Sequence, residues 1–125
     1  MTKIRIHAGN LSFEASLNDS ATADAILECL PIDGHVNVWG DEIYFRIPLA
    51  LDEAPEARDE VGTGDLAYWP PGNAFCIFFG PTPASLDQEP RAASPVNLFG
   101  HTAATPAQLR LIADGSPIRV ELADS

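Results

Sequence analysis

The feature that most constrains this chain is a strict period of two at its N-terminal end. Ile4 and Ile6 alternate with Lys3, Arg5 and His7, and after Gly9-Asn10 the residues Leu11, Phe13, Ala15 and Leu17 alternate with Ser12, Glu14 and Ser16. Successive strand residues point to opposite faces, so two alternating runs around a glycine-containing turn predict a β-hairpin with one buried face. The same period returns in Ile118, Val120 and Leu122, which predict a final strand.

Between these ends the strand pattern recurs. HVNVWGDEIYFRIPL reads as a second hairpin, with Val36 and Val38 before a turn at Gly40-Asp41 and Ile43, Phe45 and Ile47 after it. Tyr44 and Arg46 then share the opposite face. Asp65 to Trp69 reads as a short strand in which Tyr68 and Trp69 point to opposite faces, one of them inward. Pro70 to Asn73 is a rigid reversal, because two prolines fix φ and lack an amide hydrogen, while Gly72 and Asn73 tolerate the left-handed conformation. Ala74 to Phe79 is apolar throughout and reads as a strand buried on both faces, and Val96 to Thr102 is a further apolar strand. The acidic span from Leu51 to Gly64 reads as a long loop or edge excursion, and the stretch ASLDQEPRAASP as a second irregular connection.

Two short helices complete the pattern. Asp19 or Ser20 can cap a helix that buries Ala23, Ile26, Leu27 and Leu30 and stops at Pro31. Thr105, Pro106 and Gln108 form a capping-box start for a second, with Leu109, Leu111 and Ile112 inward and Gly115 at its end. Short strands with turn signals between them, and only two helices, predict a mainly β fold. The expected architecture is a small closed or nearly closed β-barrel whose open ends the helices plug. The 125 residues fit a single domain spanning 1–125.

Composition narrows the partners. With 46% hydrophobic and 20% charged residues the chain has the means for a packed core. A formal net charge of −11 repels phosphate backbones and anionic lipid headgroups, and the basic residues form no cluster, so neither nucleic acid nor a membrane is an expected partner. The chain opens on no basic-then-apolar leader and has no apolar run near the roughly 20 residues that span a bilayer, which makes the cytoplasm the simplest location. Cys29 and Cys76 sit in apolar surroundings where small buried thiols are common, and nothing requires a disulfide between them.

The usual catalytic constellations are missing from the pattern. His7, His35 and His101 are far apart and join no CxxC or HxxxH arrangement, so no metal site is expected. Cys76 lies between Phe75 and Ile77, an apolar setting that disfavours the thiolate a nucleophile needs. Gly62 and Gly64 are followed by no GKS/T ending, so no nucleotide cofactor is expected, nor any other cofactor. Arg46 is more informative, because an arginine in an otherwise apolar strand needs a reason. Beside Tyr44 it can hydrogen-bond a carbonyl or carboxylate and stack on a flat group; alternatively it is a surface residue paired with Glu42 or another acid. Tyr68 and Trp69 either line a pocket at a barrel mouth or simply build the corner at Pro70.

The segments VNVWGDEIYFRIP, GDLAYWPPGNAFCIFFGPTP and SPVNLFG, in this order, resemble the cyclophilin-like family of small prokaryotic single-domain proteins. The resemblance implies a cyclophilin-like β-barrel with short helices. True cyclophilins are peptidyl-prolyl isomerases in which an arginine following a Phe-His pair acts with a glutamine, a histidine and an apolar groove. Here YFRIP lacks the histidine before Arg46, no position matches the glutamine, and Arg46 alone corresponds as a candidate catalytic residue. It would act by donating to the prolyl amide and weakening its double-bond character. Three readings follow. The first is a binding domain whose groove, lined by Tyr44, Arg46, Tyr68 and Trp69, holds an extended peptide or a small, acidic ligand. The second is a diverged isomerase using Arg46, and the third a structural protein that forms a homodimer.

Overall fold

The computed structural model describes residues 2–123. Its first two strands, β1 (Lys3–Ala8) and β2 (Leu11–Leu17), form the expected hairpin, with Ile4 paired to Ala15 and Ile6 to Phe13. The helix α1 (Ala21–Cys29) follows, capped by the Ser20 hydroxyl, which accepts from the Ala23 amide, and it buries Thr22, Ala23 and Ile26. Leu27 and Leu30 are only half-buried against the core. The chain then runs through β3 (Ile32–His35), β4 (Asn37–Val38) and β5 (Glu42–Arg46), and a loop leads to β6 (Arg58–Glu60) and β7 (Asp65–Trp69). A 3-10 turn over Pro70–Gly72 reverses it into β8 (Ala74–Phe78); β9 (Arg91–Thr102), the single helical turn α2 (Pro106–Leu109) and β10 (Pro117–Leu122) complete the fold.

The strands form one sheet in the order β3-β10-β1-β2-β9-β7-β8-β5-β4, with β6 added on β9. All described pairings are antiparallel. The expected closed barrel is corrected to an open sheet: its two ends, β3 and β4, share no ladder. They are consecutive in the chain, separated only by Val36, so the backbone itself passes from one edge to the other. Val36 donates its amide to Ser116 O at 2.9 Å and accepts from the Gly115 amide at 2.7 Å, which commits its backbone to the connection before β10 instead of to a closing ladder.

The sheet packs on both faces. Ile43 and Phe45 of β5, Leu66 and Tyr68 of β7, Phe75 and Ile77 of β8 and Phe99 of β9 enter the main core with Ile4, Ile6, Ile118 and Val120. Phe75 lies at its centre, 5.2 Å from the Phe45 ring and 5.0 Å edge-on from Phe99, spacings that favour aromatic pairs. The alternate residues Ala67, Ala74, Cys76, Phe78 and Val96 build a second, smaller core on the other face. That is why Ala74 to Phe78 is apolar at every position: each face of β8 meets a core.

Several local expectations change. The acidic loop contains β6, held by pairing of Arg58 to Val96 and Glu60 to Arg91 and by Arg91 lying within ion-pair distance of Asp59, Glu60 and Glu89. The strand expected at Val96 begins at Arg91. Leu111 is 79% exposed because α2 stops after one turn, so the helical period that would turn it inward is not continued; Leu109 and Ile112 are buried. Val38 and Leu122 are exposed where alternation expected them inside, both at strand ends near the limits of the sheet. Among the described residues no helix is long and apolar enough to cross a membrane.

Candidate functional site

The residues singled out by sequence separate sharply. Tyr68, expected as a ligand contact, is fully buried in the main core and does not line a surface groove. Its hydroxyl donates to Leu49 O at 2.6 Å, accepts from the Leu51 amide at 3.1 Å and stands 3.1 Å from Asn73 Oδ1. It thus supplies the polar partners of a loop that crosses the core, since buried backbone groups without a partner are costly. Tyr68→Phe leaves Leu49 O and the Leu51 amide short of a partner; the expected loss is about 1–3 kcal/mol in denaturant unfolding, with faster hydrogen exchange at Leu51.

Trp69 points the other way, onto the second face. Its Nε1 donates to Ser94 Oγ at 2.7 Å, and its ring lies against Gly72, where a Cβ would come within 2.7 Å of the indole. Only Asn73 of the PPGN reversal adopts positive φ, at 49°. Gly72 is therefore needed for the close approach of the indole and not for a left-handed backbone, which refines the reading of this turn.

Register places the remaining candidates. Across the sheet, Arg46 pairs with Ala74, which pairs with Trp69; Tyr44 pairs with Cys76, which pairs with Ala67; Glu42 pairs with Phe78. The second face of β5 thus carries Glu42, Tyr44 and Arg46 in line. Trp39, Tyr44, Trp69 and Phe78, with Ala92, Ala93 and Val96 from β9, surround a pocket of about 250 Å³. Glu42 also lines it and supplies the single charged side chain among its described lining residues. Arg46 is exposed beyond this pocket and does not line it. Of the four expected ligand contacts, the structure therefore brings together Tyr44 and Trp69.

Glu42 is the residue that sequence reading passed over as a surface acid. It is 6% exposed, and burial pushes its pKa up to about 7, while the neighbouring Cys76 thiol acts in the opposite direction. Cys76 is itself buried; desolvation first, and then the neighbouring Glu42, push its thiol well above the ordinary range. The pair therefore presents an inert thiol beneath a carboxyl that titrates near neutrality. Its burial was legible only by combining two facts: Glu42 has the parity of Tyr44, and the neighbouring strand is apolar on that face.

The histidines do not converge. His7 bonds Ser12 Oγ at 2.8 Å and Glu121 at 3.1 Å, His101 lies 3.3 Å from Asp65, and His35 ends β3. Among the described residues no three His, Cys, Asp or Glu side chains gather in a way that could hold a metal ion. Cys29 and Cys76 are free thiols. Gly62 and Gly64 shape the turn into β7: the Gly62 amide donates to the Asp65 carboxylate at 2.7 Å, and Gly64 (φ 90°) bonds Phe78 O and the Thr102 amide.

The architecture can be set beside known proteins. No curated protein matches the chain. The solution structure of a hypothetical protein from Archaeoglobus fulgidus is 39% identical, covers 98% of this chain and 95% of its own, and superimposes with a TM-score of 0.82. The family model described as cyclophilin-like matches residues 2–121, nearly the whole length over which the sheet, the two helices and the pocket are built. This chain belongs to the cyclophilin-like family.

Proposed function

We propose that this cyclophilin-like domain binds a small ligand on the second face of its sheet, in the pocket bounded by Trp39, Tyr44, Trp69 and Phe78. One observation carries the reading: among the described residues an apolar, aromatic-walled pocket receives a single carboxyl side chain, Glu42, whose charged form burial disfavours. Ligand sites combine mostly apolar walls with a few polar groups that fix orientation, and displaced pKa values cluster at such sites. The volume of about 250 Å³ lies below the ~300–1,000 Å³ of pockets for drug-sized molecules, which favours an occupant of few heavy atoms. One side chain of an extended peptide meets the same limit.

The isomerase alternative calls for an arginine beside a proline-sized apolar groove. Arg46 shares the face but stands at the far end of the β5 row, across Ala74 from Trp69, and no observation favours that reading over binding. The test is a titration of the isotopically labelled protein with a library of small molecules and short peptides, following amide and indole N–H resonances. The expected result is localised shifts at Trp39, Trp69, Tyr44 and residues 92–96, with peptides no better than their isolated side-chain analogues. Shifts that avoid these residues for every compound would overturn the proposal.

A further inference from the structure

We infer that the occupant of this pocket is a small organic cation of the substituted-ammonium class, whose charge the Glu42 carboxylate balances while the rings of Trp39, Tyr44 and Trp69 contact its alkyl groups. The inference rests on the binding proposal above and adds the sign and chemistry of the ligand. Glu42 is lined up with no basic group in the pocket, whose other walls are aromatic or aliphatic. Arg46, the cation on the same strand face, is four residues away, about 13 Å along an extended strand. Cys76 of β8, a neutral thiol, acts on Glu42 from the neighbouring strand, and Tyr44 is the other titratable residue among the described lining of the pocket. Burial and the Cys76 thiol set the direction in which this carboxyl is displaced, and no basic side chain contributes to it.

An ionised carboxylate in such a setting lacks its counter-charge, and a ligand cation supplies it. Aromatic faces attract cations, most of all those too bulky and weakly hydrated to prefer water, which is the basis of quaternary-ammonium recognition by aromatic cages. The chain's net charge of −11 draws cations toward it and repels anions, so an acidic occupant is opposed both by the long-range field and by Glu42. A metal ion is a poor fit, because calcium and magnesium need about six or more oxygen ligands and this pocket offers one carboxyl group.

Binding of a cation is then coupled to loss of the Glu42 proton. With the carboxyl titrating at about 7, the fraction ready to pair with the ligand rises about tenfold between pH 6 and pH 8. The experiment compares choline with its uncharged isostere 3,3-dimethylbutan-1-ol, titrated into the full chain at pH 6 and pH 8 while the indole N–H resonances of Trp39 and Trp69 are followed. Choline is expected to shift both indoles, to bind about tenfold more tightly at pH 8, and to lose that pH dependence and most of its affinity in Glu42→Gln. The alcohol is expected to bind weakly and equally at both pH values. Equal binding of the two compounds, or choline binding unaffected by pH and by Glu42→Gln, overturns the cation inference and leaves the ligand pocket standing. Shifts from neutral library compounds with none from choline do the same. Silence of the pocket toward every compound overturns both.

Discussion

Glu42→Gln is expected to unfold at a higher denaturant concentration than the parent chain at pH 8 and at nearly the same concentration at pH 4.5. The folded-state pKa of Glu42 is about 7 against an ordinary value of 4.5, so the folded protein holds this proton more tightly than the unfolded chain does. Its contribution to stability is whole below pH 4.5, declines as pH rises from 4.5, and is gone once pH has passed 7. A separation of about 2.5 units corresponds to about 3 kcal/mol, and that is the order of the gain expected from Gln at pH 8. Gln keeps the shape of the protonated acid and carries no charge at any pH. The parent chain should therefore lose stability from pH 5 to pH 8 while the variant stays nearly flat. Parallel curves for the two proteins would mean that Glu42 ionises freely in water and that the pocket does not enclose it.

On the acid side a different set of groups takes over. Hydrogen bonds from Arg5 to Glu14, from the Leu86 amide to Glu89 and from His7 to Glu121 hold these carboxyls below their ordinary range. Stability from such groups is present above the unfolded pKa and falls as pH drops through the folded one, the opposite sense to Glu42. All three are on the surface, where solvent screens the pairing, so the Glu42 slope is the one expected to stand out between pH 5 and pH 8.

The stability slope also bears on how much of the molecule was legible from its residues. The hairpin, the PPGN reversal, both helix caps and the doubly buried β8 were readable because each rests on a local rule: alternation, fixed proline φ, or a hydroxyl placed before a first turn. β6 was not, since Arg58, Asp59 and Glu60 show no apolar alternation and owe their strand to backbone pairing with β9 and to Arg91. The open sheet edge was not legible either, because closure depends on whether two distant edges exchange hydrogen bonds. For Tyr68 and Trp69 the sequence established opposite faces but not which face held the larger core. Reading Glu42 as a solvent-facing acid assumed that the second face of β5 is wet. The all-apolar β8 beside it already argued the reverse, because a strand apolar on both faces requires its neighbour's second face to be covered as well.

Two phenylalanines three residues apart on β8 provide the sharpest mutational contrast in the fold. Phe75 and Phe78 are both fully buried, yet Phe75 belongs to the main core, between Phe45 and Phe99, and Phe78 to the second core, where it borders the pocket. Phe75→Ala removes a ring enclosed on every side and leaves a void that two aromatic neighbours cannot collapse into without breaking their own contacts. The expected cost is about 3–5 kcal/mol in denaturant unfolding, the range for truncating an enclosed phenylalanine. Phe78→Ala removes the same number of atoms, but the space it leaves joins a pocket that already opens to solvent, so less of the penalty for an empty cavity applies. Its expected cost is about 2 kcal/mol, mostly the lost burial of the ring itself. The functional effects run in the opposite order: Phe78→Ala widens the pocket and should shift its preference toward bulkier ligands, whereas Phe75→Ala should leave that preference unchanged in whatever fraction remains folded. Equal losses of stability, or a changed ligand preference in Phe75→Ala alone, would show that the two faces of β8 are not energetically separate and that the pocket is shaped by the main core.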